Sequence, residues 1–512
     1  MVLAVNLMGS TAALYIAMNT RYGMYKKIQT YSFYEVDKLS AASLITRLSN
    51  DTNKYAITMQ MIITMLFRAP ITIAISLVNA FTPPLGNTTY GIIILCIIFF
   101  MLLVVGLIGI QAVPSFTKAQ KELDITNGIM RENILGARVI KAFNIQDNQS
   151  QRYDKENKEL KKYNIRGQAL MLPIMSIIQF ILNAGIIVIL IVAGVRFHAD
   201  SSQTIDSGIF AFTQLIAIVL FSTLIAIMVL VFTIRSLASV RRINEVFSIQ
   251  PSVVEVKNPT KLTDDYTVKF NHVNFKYNKD TPTNVLDDVS FEVPSGKTLG
   301  IVGGTGSGKS TIASLLPRFY DTTSGSVTIG GVDVKETAHE NLNDVVSVVL
   351  QESVLFSGTI ESNLKFGKED ATENDMNNAL SDACALDFVN ILPEKIQAPV
   401  EQRGRNFSGG QKQRLAIART LIKKPKVLVL DDTTSALDLL TEAQVQENLK
   451  NNYYGSTKII ISQRIASVKN ADKIIVLDSG KVVGEGTHDA LVKNNLIYRE
   501  IVESQLGKEG AQ

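Results

Sequence analysis

The feature that most constrains this 512-residue chain is a set of long stretches without a single charged side chain. The longest, 69–117, runs for 49 residues and is interrupted near its middle by Thr82-Pro83-Pro84-Leu85-Gly86-Asn87. Others cover 1–20, 167–195 and 207–234. A helix needs about 20 apolar residues to cross the hydrocarbon core of a bilayer. Each stretch is therefore long enough to span a membrane, and the longest is long enough for two helices around a Pro/Gly turn.

These lengths predict an all-α membrane domain in the first half of the chain. Its helices are expected near 1–20, 58–81, 90–113, 169–195 and 208–234. The alternative, buried helices of a large soluble protein, fits these lengths poorly.

Charged residues make up only 19% of the chain and the net charge is +4, which offers no electrostatic case for binding nucleic acid. The two cysteines, Cys96 and Cys384, indicate neither a disulfide framework nor a metal cluster.

Positive charge predicts the orientation of this domain. Arg21–Arg68 contains seven Lys or Arg residues and Lys118–Arg166 contains eleven, whereas the turn at 82–90 has none and the loop at 196–206 has one. Lys and Arg are enriched in cytoplasmic loops, so the two long connections are expected in the cytoplasm. Residue 1 would then lie on the outer face. Five spans with an external N-terminus lead us to expect that one upstream membrane helix is missing from this sequence.

The two long cytoplasmic connections are rich in helix formers, as at Phe116–Ile125 and Asp154–Ile165. Helices that rise 1.5 Å per residue would carry the membrane helices well into the cytoplasm. Near the turning points lie two short polar-aromatic stretches, Tyr31–Ser40 and Ala142–Ser150, which are suited to docking on another domain. Solvated loops are the alternative.

The composition changes after residue 245, which predicts a second domain. Residues 246–265 contain Pro251 and Pro259 and are predicted to form a linker. From Val268 onward, short β-rich runs alternate with helical patterns, which is typical of an α/β domain around a partly parallel sheet. We assign this domain to 266–505, with a short tail at 506–512.

The first strand–loop–helix pattern of this second domain carries a phosphate-binding motif. The predicted strand Thr298–Val302 leads into Gly303–Thr311, which follows the pattern G-x-x-x-x-G-K-S. Glycines let backbone N–H groups converge on phosphates, and the helix N-terminus adds its dipole. Lys309 would reach the β- and γ-phosphates, and Ser310 would bind Mg²⁺. The predicted ATP-binding residues of the loop are Gly303, Gly304, Thr305, Gly306, Ser307, Gly308, Lys309, Ser310 and Thr311.

Two further motifs belong to the same domain. The predicted strand Val427–Leu430 ends in Asp431-Asp432, where Asp431 could hold Mg²⁺ and Asp432 stands where a general base would be wanted. Two aspartates after a strand are equally typical of a helix cap. Ser408–Gln411, which reads Ser-Gly-Gly-Gln, opens a predicted helix and would form a second anion-binding terminus, although a Gly-Gly pair alone is typical of a loop.

The order of these parts resembles the ATP-binding cassette (ABC) exporters, and the resemblance covers essentially the whole chain. It implies two domains: an all-α transmembrane domain, here without its first helix, followed by an α/β P-loop ATPase domain. Ser408, Gly409, Gly410 and Gln411 match the signature motif of the family. The resemblance further implies that Tyr277 stacks on adenine, that Gln351 touches Mg²⁺, that Ser435–Asp438 crosses a dimer interface and that Ile461–Arg464 is a switch segment.

This sequence departs from the family pattern at two catalytic positions and in one loop. Asp432 stands where the family usually has Glu, and Gln463 stands where it has His; both residues act on the attack of water on the γ-phosphate. Aspartate is one methylene shorter, and a misplacement of about 1 Å can cost on the order of 10²-fold in rate. Glutamine cannot acquire the positive charge of a histidine. We therefore expect ATP to bind here but to be hydrolysed slowly. In the loop before the signature, Glu401-Gln402 replaces the usual Gly-Glu.

In this family two cassettes close head to tail, with ATP between one phosphate loop and the signature of the other chain. An intact signature beside a weakened base and switch is typical of one subunit of a heterodimeric exporter. The partner would then be a homologous chain with intact Glu and His. The alternatives are a homodimer with two slow sites and an ATP-gated membrane regulator.

The resemblance also predicts the surroundings of the protein. The expected ligands are ATP, Mg²⁺, membrane lipids and a small hydrophobic or amphipathic substrate, whose identity the sequence leaves open. The expected location is the plasma (cytoplasmic) membrane, crossed several times, with the nucleotide-binding domain in the cytoplasm. The membrane-length runs exclude a soluble cassette ATPase, and the fusion of both domains in one chain disfavours an importer.

Overall fold

The computed structural model describes residues 2–82, 88–199, 208–278 and 281–506. The chain forms two compact units, one made of Met1–Lys26 and Leu44–Ser248 and the other of Lys27–Ser43 and Ile249–Gln512. We call them the helical unit and the α/β unit. The predicted turn at 82–87 and the predicted loop at 196–206 lie largely outside the described residues.

The first half of the chain is almost entirely helical in its described part. Two π-helical turns, Arg47–Asp51 and Ile62–Leu66, interrupt the helical stretch Ala41–Phe81. The helices are α1 (Val2–Ile28), α2 (Phe33–Leu39), α3 (Ala41–Thr46), α4 (Thr52–Met61), α5 (Arg68–Phe81), α6 (Thr88–Leu135), α7 (Ala137–Ala142), α8 (Gln146–Met171), α9 (Pro173–Ala199) and α10 (Gly208–Ser248).

Four helical stretches in the described residues are long and apolar enough to cross a membrane: Ala41–Phe81, Gly91–Leu135, Gln146–Val195 and Thr213–Ser248. They contain most of the four predicted spans from 58–81 onward. The predicted span at 1–20 is helical from Val2 as part of α1, but it does not belong to these four. Its crossing of the membrane therefore stays a prediction.

Apolar side chains lie both inside and outside the helical unit. A buried cluster that includes Ile94, Met101, Ile189 and Ile216 joins α5, α6, α9 and α10. On the outer surface many large apolar side chains are exposed, among them Phe99, Ile110, Leu172 and Phe180. A surface of this kind is suited to contact with hydrocarbon rather than water.

The α/β unit contains two main sheets. The strands are β1 (Val268–Phe275), β2 (Leu286–Val293), β3 (Thr298–Gly303), β4 (Ser324–Ile329), β5 (Val332–Asp333), β6 (Val346–Val349), β7 (Gly358–Thr359), β8 (Pro399–Val400), β9 (Val427–Asp431), β10 (Thr457–Ile461), β11 (Lys473–Asp478) and β12 (Lys481–Gly486). One sheet is antiparallel, in the order β2-β1-β4-β5. The other has the order β12-β11-β3-β10-β9-β6 and is parallel except for β12.

Helices cover the parallel sheet, which buries both of its faces. All five residues of β9 are buried, as expected for a strand that reads as a continuous apolar run. The helices are α11 (Lys309–Leu315), α12 (His339–Val345), α13 (Ile360–Lys365), α14 (Glu373–Asp382), α15 (Leu386–Ile391), α16 (Gly409–Leu421), α17 (Leu439–Asn452), α18 (Ile465–Val468), α19 (His488–Asn494) and α20 (Leu496–Leu506).

The observed boundaries differ in detail from the predicted ones. Helix α10 continues through Ser248, past the predicted boundary at 245, and α20 ends at Leu506. The segment Lys27–Ser43, predicted as part of the membrane domain, belongs to the α/β unit. The physical reason is that α2 forms its hydrogen bonds and ring contacts with that unit, as described below.

Candidate nucleotide-binding site

The predicted phosphate loop opens into a cavity of about 310 Å³ in the α/β unit. The strands β3, β9 and β10 lie side by side and parallel, so the loops after their carboxyl ends meet at this edge of the sheet. The cavity is lined by Tyr277, Val285, Thr305, Gly306, Gly308, Lys309, Ser310, Thr311, Gln351, Asp431, Asp432, Ile461, Ser462 and Gln463.

The phosphate loop needs glycine at Gly308. This residue has a φ of +100°, and a Cβ atom there would come within 2.7 Å of Leu286 Cδ2 and 2.9 Å of the Val285 carbonyl oxygen. The following residue, Lys309, is buried, and its Nζ donates to the carbonyl oxygens of Gly303 (3.0 Å) and Gly304 (2.6 Å). The loop therefore holds one ammonium group at the mouth of the cavity, where burial lowers its pKa.

An oxygen pair suited to Mg²⁺ forms between the phosphate loop and the end of β9. Ser310 Oγ donates to Asp431 Oδ1 at 3.1 Å, and Asp431 is only 4% exposed at the end of β9. Burial, and then the neighbouring charge of Asp432, raises the pKa of Asp431. Carboxylate and hydroxyl oxygens are the ligands that Mg²⁺ prefers, commonly with substrate phosphates completing its shell. Within the described residues no group of three or more His, Cys, Asp or Glu could hold a metal ion. The Ser310–Asp431 pair offers Mg²⁺ two oxygen ligands.

The two residues that depart from the family pattern share this cavity. Asp432 directly follows β9 with a φ of +47°, and its backbone N–H donates to the Ile461 carbonyl oxygen at 2.8 Å. Gln463 lies two residues beyond Ile461 and lines the same cavity with an exposed side chain. The pairing of β9 with β10 thus brings the positions predicted for the base and the switch to one wall.

The predicted adenine partner also lies at the cavity. The Tyr277 hydroxyl is 3.1 Å from Thr311 Oγ1, at the start of α11. Tyr277 is 39% exposed, and its ring meets the ring of Tyr320 edge-on with centroids 5.2 Å apart. Gln351, the residue predicted to touch Mg²⁺, is part of the lining as well. Each of these residues was predicted from its motif, and the fold brings them together.

Two groups of predicted ATP-binding residues do not line this cavity: Gly303, Gly304 and Ser307 of the phosphate loop, and the four residues of the signature. Ser408 caps helix α16, accepting from the Gln411 backbone N–H at 3.3 Å, while the Ser408 N–H donates to Gln411 Oε1 at 2.9 Å. On the next turn, Gln413 Oε1 accepts from the backbone N–H of Ala436 at 3.1 Å, which holds the loop at 435–438. Among the described residues that line the cavity, none belongs to Ser408–Gln411.

Two residues of the site were not predicted from the sequence. Val285 lines the cavity without belonging to any predicted motif, whereas Ile461 and Ser462 of the lining belong to the predicted switch segment. The Tyr320 ring packs edge-on against the Tyr277 ring. Tyr320 follows the phosphate-loop helix in the sequence, and this position could have been used to predict its place beside the site.

Comparison with known proteins gives consistent results. The family described as "ABC transporter transmembrane region" matches residues 1–224, and the family described as "ABC transporter" matches 286–435. YfiB, an uncharacterized ABC transporter ATP-binding protein of Bacillus subtilis, is 34% identical over 503 residues, covering 96% of this chain and 85% of YfiB. Rv1273c of Mycobacterium tuberculosis, also an uncharacterized ABC transporter ATP-binding protein, is 35% identical over 509 residues, covering 97% of this chain and 85% of Rv1273c.

Two further similarities concern a named relative and a solved structure. YheI of B. subtilis, named as a multidrug resistance ABC transporter ATP-binding/permease protein, is 31% identical over 480 residues, covering 92% of this chain and 80% of YheI. The structure of a bacterial Atm1-family ABC exporter with ATP bound has the same fold, with a TM-score of 0.79 and 24% identity. The matched region covers 98% of this chain and 86% of the chain of the solved structure.

The fold and the site define a P-loop ATPase domain joined to membrane helices. The chain belongs to the ABC transporter family and has the fold of an ABC exporter. It is an ATPase whose ATP hydrolysis is coupled to transport, it crosses the cytoplasmic membrane several times, and it works together with a second ABC half.

Proposed function

We propose that this chain is one half of a heterodimeric exporter of hydrophobic or amphipathic compounds, and that its own site binds ATP but hydrolyses it slowly. The observation that carries the proposal is the shared position of Asp432 and Gln463 on one wall of a cavity whose phosphate-binding residues are intact. Two substitutions at one catalytic step, with binding left untouched, favour a retained regulatory site over a random loss.

The geometry of the cavity supports the binding roles that we propose. Lys309 and the backbone N–H groups of Gly303–Thr311 bind the phosphates, and Tyr277 contacts the adenine. Ser310 and Asp431 would hold Mg²⁺, with Gln351 as a further oxygen ligand. When bound, Mg²⁺ neutralises charge that develops between the β- and γ-phosphates. The ammonium of Lys309 must leave the carbonyl oxygens of Gly303 and Gly304 to reach the phosphates.

The slow step is the activation of water. Asp432 stands at the position of the general base, but its carboxylate ends one methylene short of where a glutamate would place it. A displacement of about 1 Å from the productive geometry lowers the rate on the order of 10²-fold. Gln463 can donate a hydrogen bond to the γ-phosphate but contributes no positive charge as the leaving group separates. Both defects slow hydrolysis and leave ATP binding intact.

The partner subunit completes the fast site. Ser408–Gln411 lie outside the cavity of their own chain, at the start of α16, where they can close over the ATP bound by a second cassette. A partner with Glu and His at the corresponding positions would hydrolyse ATP against this intact signature. ATP binding would close the two cassettes, and hydrolysis with phosphate release at the partner's site would reopen them.

Closure is proposed to reach the membrane helices through the coupling regions at 31–40 and 142–150. In the α/β unit the first of these forms α2, whose Asp37 accepts a hydrogen bond from the Tyr320 hydroxyl at 2.8 Å. Tyr320 in turn contacts Tyr277 at the nucleotide cavity. These contacts support a coupling role for 31–40.

The proposed substrate class is supported by similarity and by surface chemistry. YheI carries multidrug resistance in its name, and the large exposed apolar residues of the helical unit are suited to a lipid environment. A compound that partitions into the membrane would reach such an exporter from the bilayer.

The deciding experiment is purification of the chain from its native membranes, with identification of co-purifying proteins and measurement of ATPase on the same sample. A homologous partner with Glu and His, and strong ATPase only in the pair, is the expected result. A lone homodimer with brisk turnover would contradict the proposal, because Asp432 would then suffice as base. A lone homodimer with slow turnover would favour two equal slow sites.

Transport must be measured separately from ATP hydrolysis. Reconstituted vesicles that accumulate a labelled hydrophobic compound against its gradient, and only with ATP, would support the exporter. Downhill flux that needs ATP binding but not hydrolysis would instead favour an ATP-gated regulator.

A further inference from the structure

A second cavity, of about 520 Å³, lies in the helical unit between α6 and α8. Its size falls in the range of small-molecule sites. Its lining combines the apolar residues Pro114, Ala169 and Leu170 with polar and basic ones. The polar and basic residues are Gln111, Ser115, Lys118, Tyr163 and Arg166.

The two cations of this cavity lie at the level where the membrane ends. Lys118 is the first charged residue after the uncharged run 69–117, and Arg166 is the last charged residue before the uncharged run 167–195. The helices that carry them run side by side, so both cations reach the same cavity from opposite chain directions. Their depth therefore matches the headgroup region on the cytoplasmic side, where the positive-inside pattern also places them.

Close packing of the two helices maintains this arrangement. Gly167, next to Arg166, is buried, and a Cβ atom there would lie 3.1 Å from the ring of Phe116 on α6. The Tyr163 ring lies 5.5 Å from Lys118 Nζ, which restrains the lysine beside the cavity. The helices thus approach each other closely at the level of the two cations.

Among the residues that the structure describes, no carboxylate neutralises Lys118 or Arg166. In the parts of the chain that the structure describes, neither side chain forms an ion pair, whereas the neighbouring Lys162 pairs with Glu159 at 3.2 Å. Two unpaired cations, a hydroxyl and an amide beside an apolar wall fit a ligand with an anionic phosphate and an attached hydrocarbon. Basic pockets between membrane helices on the cytoplasmic side bind such headgroups.

We propose that the cavity between α6 and α8 binds the phosphate headgroup of an anionic phospholipid of the cytoplasmic leaflet. Lys118 and the Arg166 guanidinium contact the phosphate, Ser115 and Gln111 bond the headgroup oxygens, and the acyl chains follow the exposed apolar surface near Leu172. This site is separate from the ATP cavity and does not depend on the identity of the exported compound.

The absence of tryptophan from the chain permits a direct test. Leu172 is 75% exposed and lies two residues beyond Leu170 of the cavity, so Leu172→Trp gives a single reporter that does not fill the site. The full chain is reconstituted in phosphatidylcholine, and quenching is measured with brominated phosphatidylglycerol or brominated phosphatidylcholine. Each cation near the membrane surface contributes about fivefold, so we expect phosphatidylglycerol to bind about 30-fold more tightly than phosphatidylcholine.

Matched variants separate the site from general surface charge. Lys118→Gln with Arg166→Gln should bring the two lipids to nearly equal affinity. Lys121→Gln with Lys161→Gln removes the same charge from the same helices farther from the membrane and should preserve the preference. Equal quenching by both lipids in the parent protein, or equal loss in both double variants, would overturn the proposal.

Two additional measurements keep the result interpretable. If the double variant does not fold, Arg166→Lys and Arg166→Gln are compared singly, and only the second should reduce the preference for phosphatidylglycerol, by about fivefold. Inorganic phosphate is added as a competitor to the parent protein. Full displacement of brominated phosphatidylglycerol by inorganic phosphate would identify a soluble anion as the ligand and overturn the lipid assignment.

Discussion

At the scale of single residues, the chemistry of the ATP site depends on where two carboxylates lie. Asp431 is the last residue of β9 and is held by Ser310, whereas Asp432 turns into a left-handed conformation with a φ of +47°. Aspartate adopts this conformation more readily than most residues with a Cβ atom, including glutamate. The backbone therefore tolerates Asp432 well, while the shorter side chain limits its reach.

The first prediction is that catalysis can be repaired in this chain. Asp432→Glu combined with Gln463→His should raise the ATPase rate at this chain's own site on the order of 10²-fold in the pair, measured with the partner's catalytic Glu replaced by Gln, because both the reach of the base and the charge of the switch are restored. Steady-state phosphate release checks this, with Lys309→Ala added to the repaired chain as an inactive control. An unchanged rate would show that hydrolysis is limited by something other than these two residues.

A second prediction concerns pH. Mg²⁺ binding needs ionised Asp431, and burial beside Asp432 raises the pKa of that carboxyl above the ordinary value of about 3.9. Affinity for Mg²⁺–ATP should therefore fall with decreasing pH earlier than an ordinary aspartate would cause, as calorimetry with and without Mg²⁺ can measure. Asp431→Asn should remove this pH dependence. The raised pKa affects folding without Mg²⁺ in the opposite direction to Mg²⁺–ATP binding. The free energy of unfolding decreases as pH rises through the folded-state pKa of Asp431.

At the scale of secondary-structure elements, α2 is attached to the α/β unit by several independent contacts. The Phe33 ring lies 4.6 Å from that of Phe319, and Tyr320 donates to Asp37. Glu35 is buried and accepts from the backbone N–H groups of both Ser32 and Ser252 at 3.0 Å. Burial and the bond to Asp37 raise the pKa of Tyr320, so its hydroxyl stays protonated and remains a donor.

The third prediction tests this attachment. Tyr320→Phe removes one hydrogen bond to a charged acceptor, worth roughly 1.5–3 kcal/mol, and should reduce ATP-driven transport about 10-fold or more. ATPase should change less than about twofold, because Tyr320 does not contact the phosphates. Tyr454→Phe, at a highly exposed tyrosine, is the matched control. Transport that is unchanged in Tyr320→Phe and also in Asp37→Asn would refute a coupling role for 31–40.

A buried ion pair fastens α10 to the first π-helical turn within the helical unit. Asp51 is 1% exposed and accepts from Arg242 Nε at 2.7 Å and from Ser239 Oγ at 2.9 Å. Arg242→Gln leaves this carboxylate with one good donor and should lower the free energy of unfolding by about 1–3 kcal/mol, measured in detergent. The double variant Asp51→Asn with Arg242→Gln should recover part of the loss. Additive losses would show that the two side chains do not interact energetically.

At the scale of the whole molecule, the ATP cavity and the signature belong to different surfaces of one cassette. Ser408→Arg should leave ATP binding by the isolated chain unchanged, since the signature does not line its cavity. In the proposed pair it should lower ATPase by roughly 10²-fold or more, as loss of a preorganised donor at a transferring phosphate does. Nucleotide titration of the chain and ATPase of the pair are the two measurements. Weakened ATP binding by the isolated chain would place the signature at its own site instead.

The local sequence determined those features whose causes lie within a short stretch of chain. Membrane length follows from counting uncharged residues, and the phosphate loop is a contiguous strand–loop–helix pattern whose strand and helix the structure confirms. The strand at 427–430 was likewise identified from its own apolar run. These features could be predicted because the bilayer thickness and the needs of a phosphate both act on neighbouring residues.

Tertiary structure decided which distant residues share a surface. No local pattern places Gln463 beside Asp432, because their proximity comes from the parallel pairing of β10 with β9. The assignment of 27–43 to the α/β unit, and the basic cavity between α6 and α8, depend in the same way on side chains that meet only after packing. Sequence alone determined what each segment can do; the folded chain determined what the segments do together, since contacts between distant residues form only when the chain brings them within bonding distance.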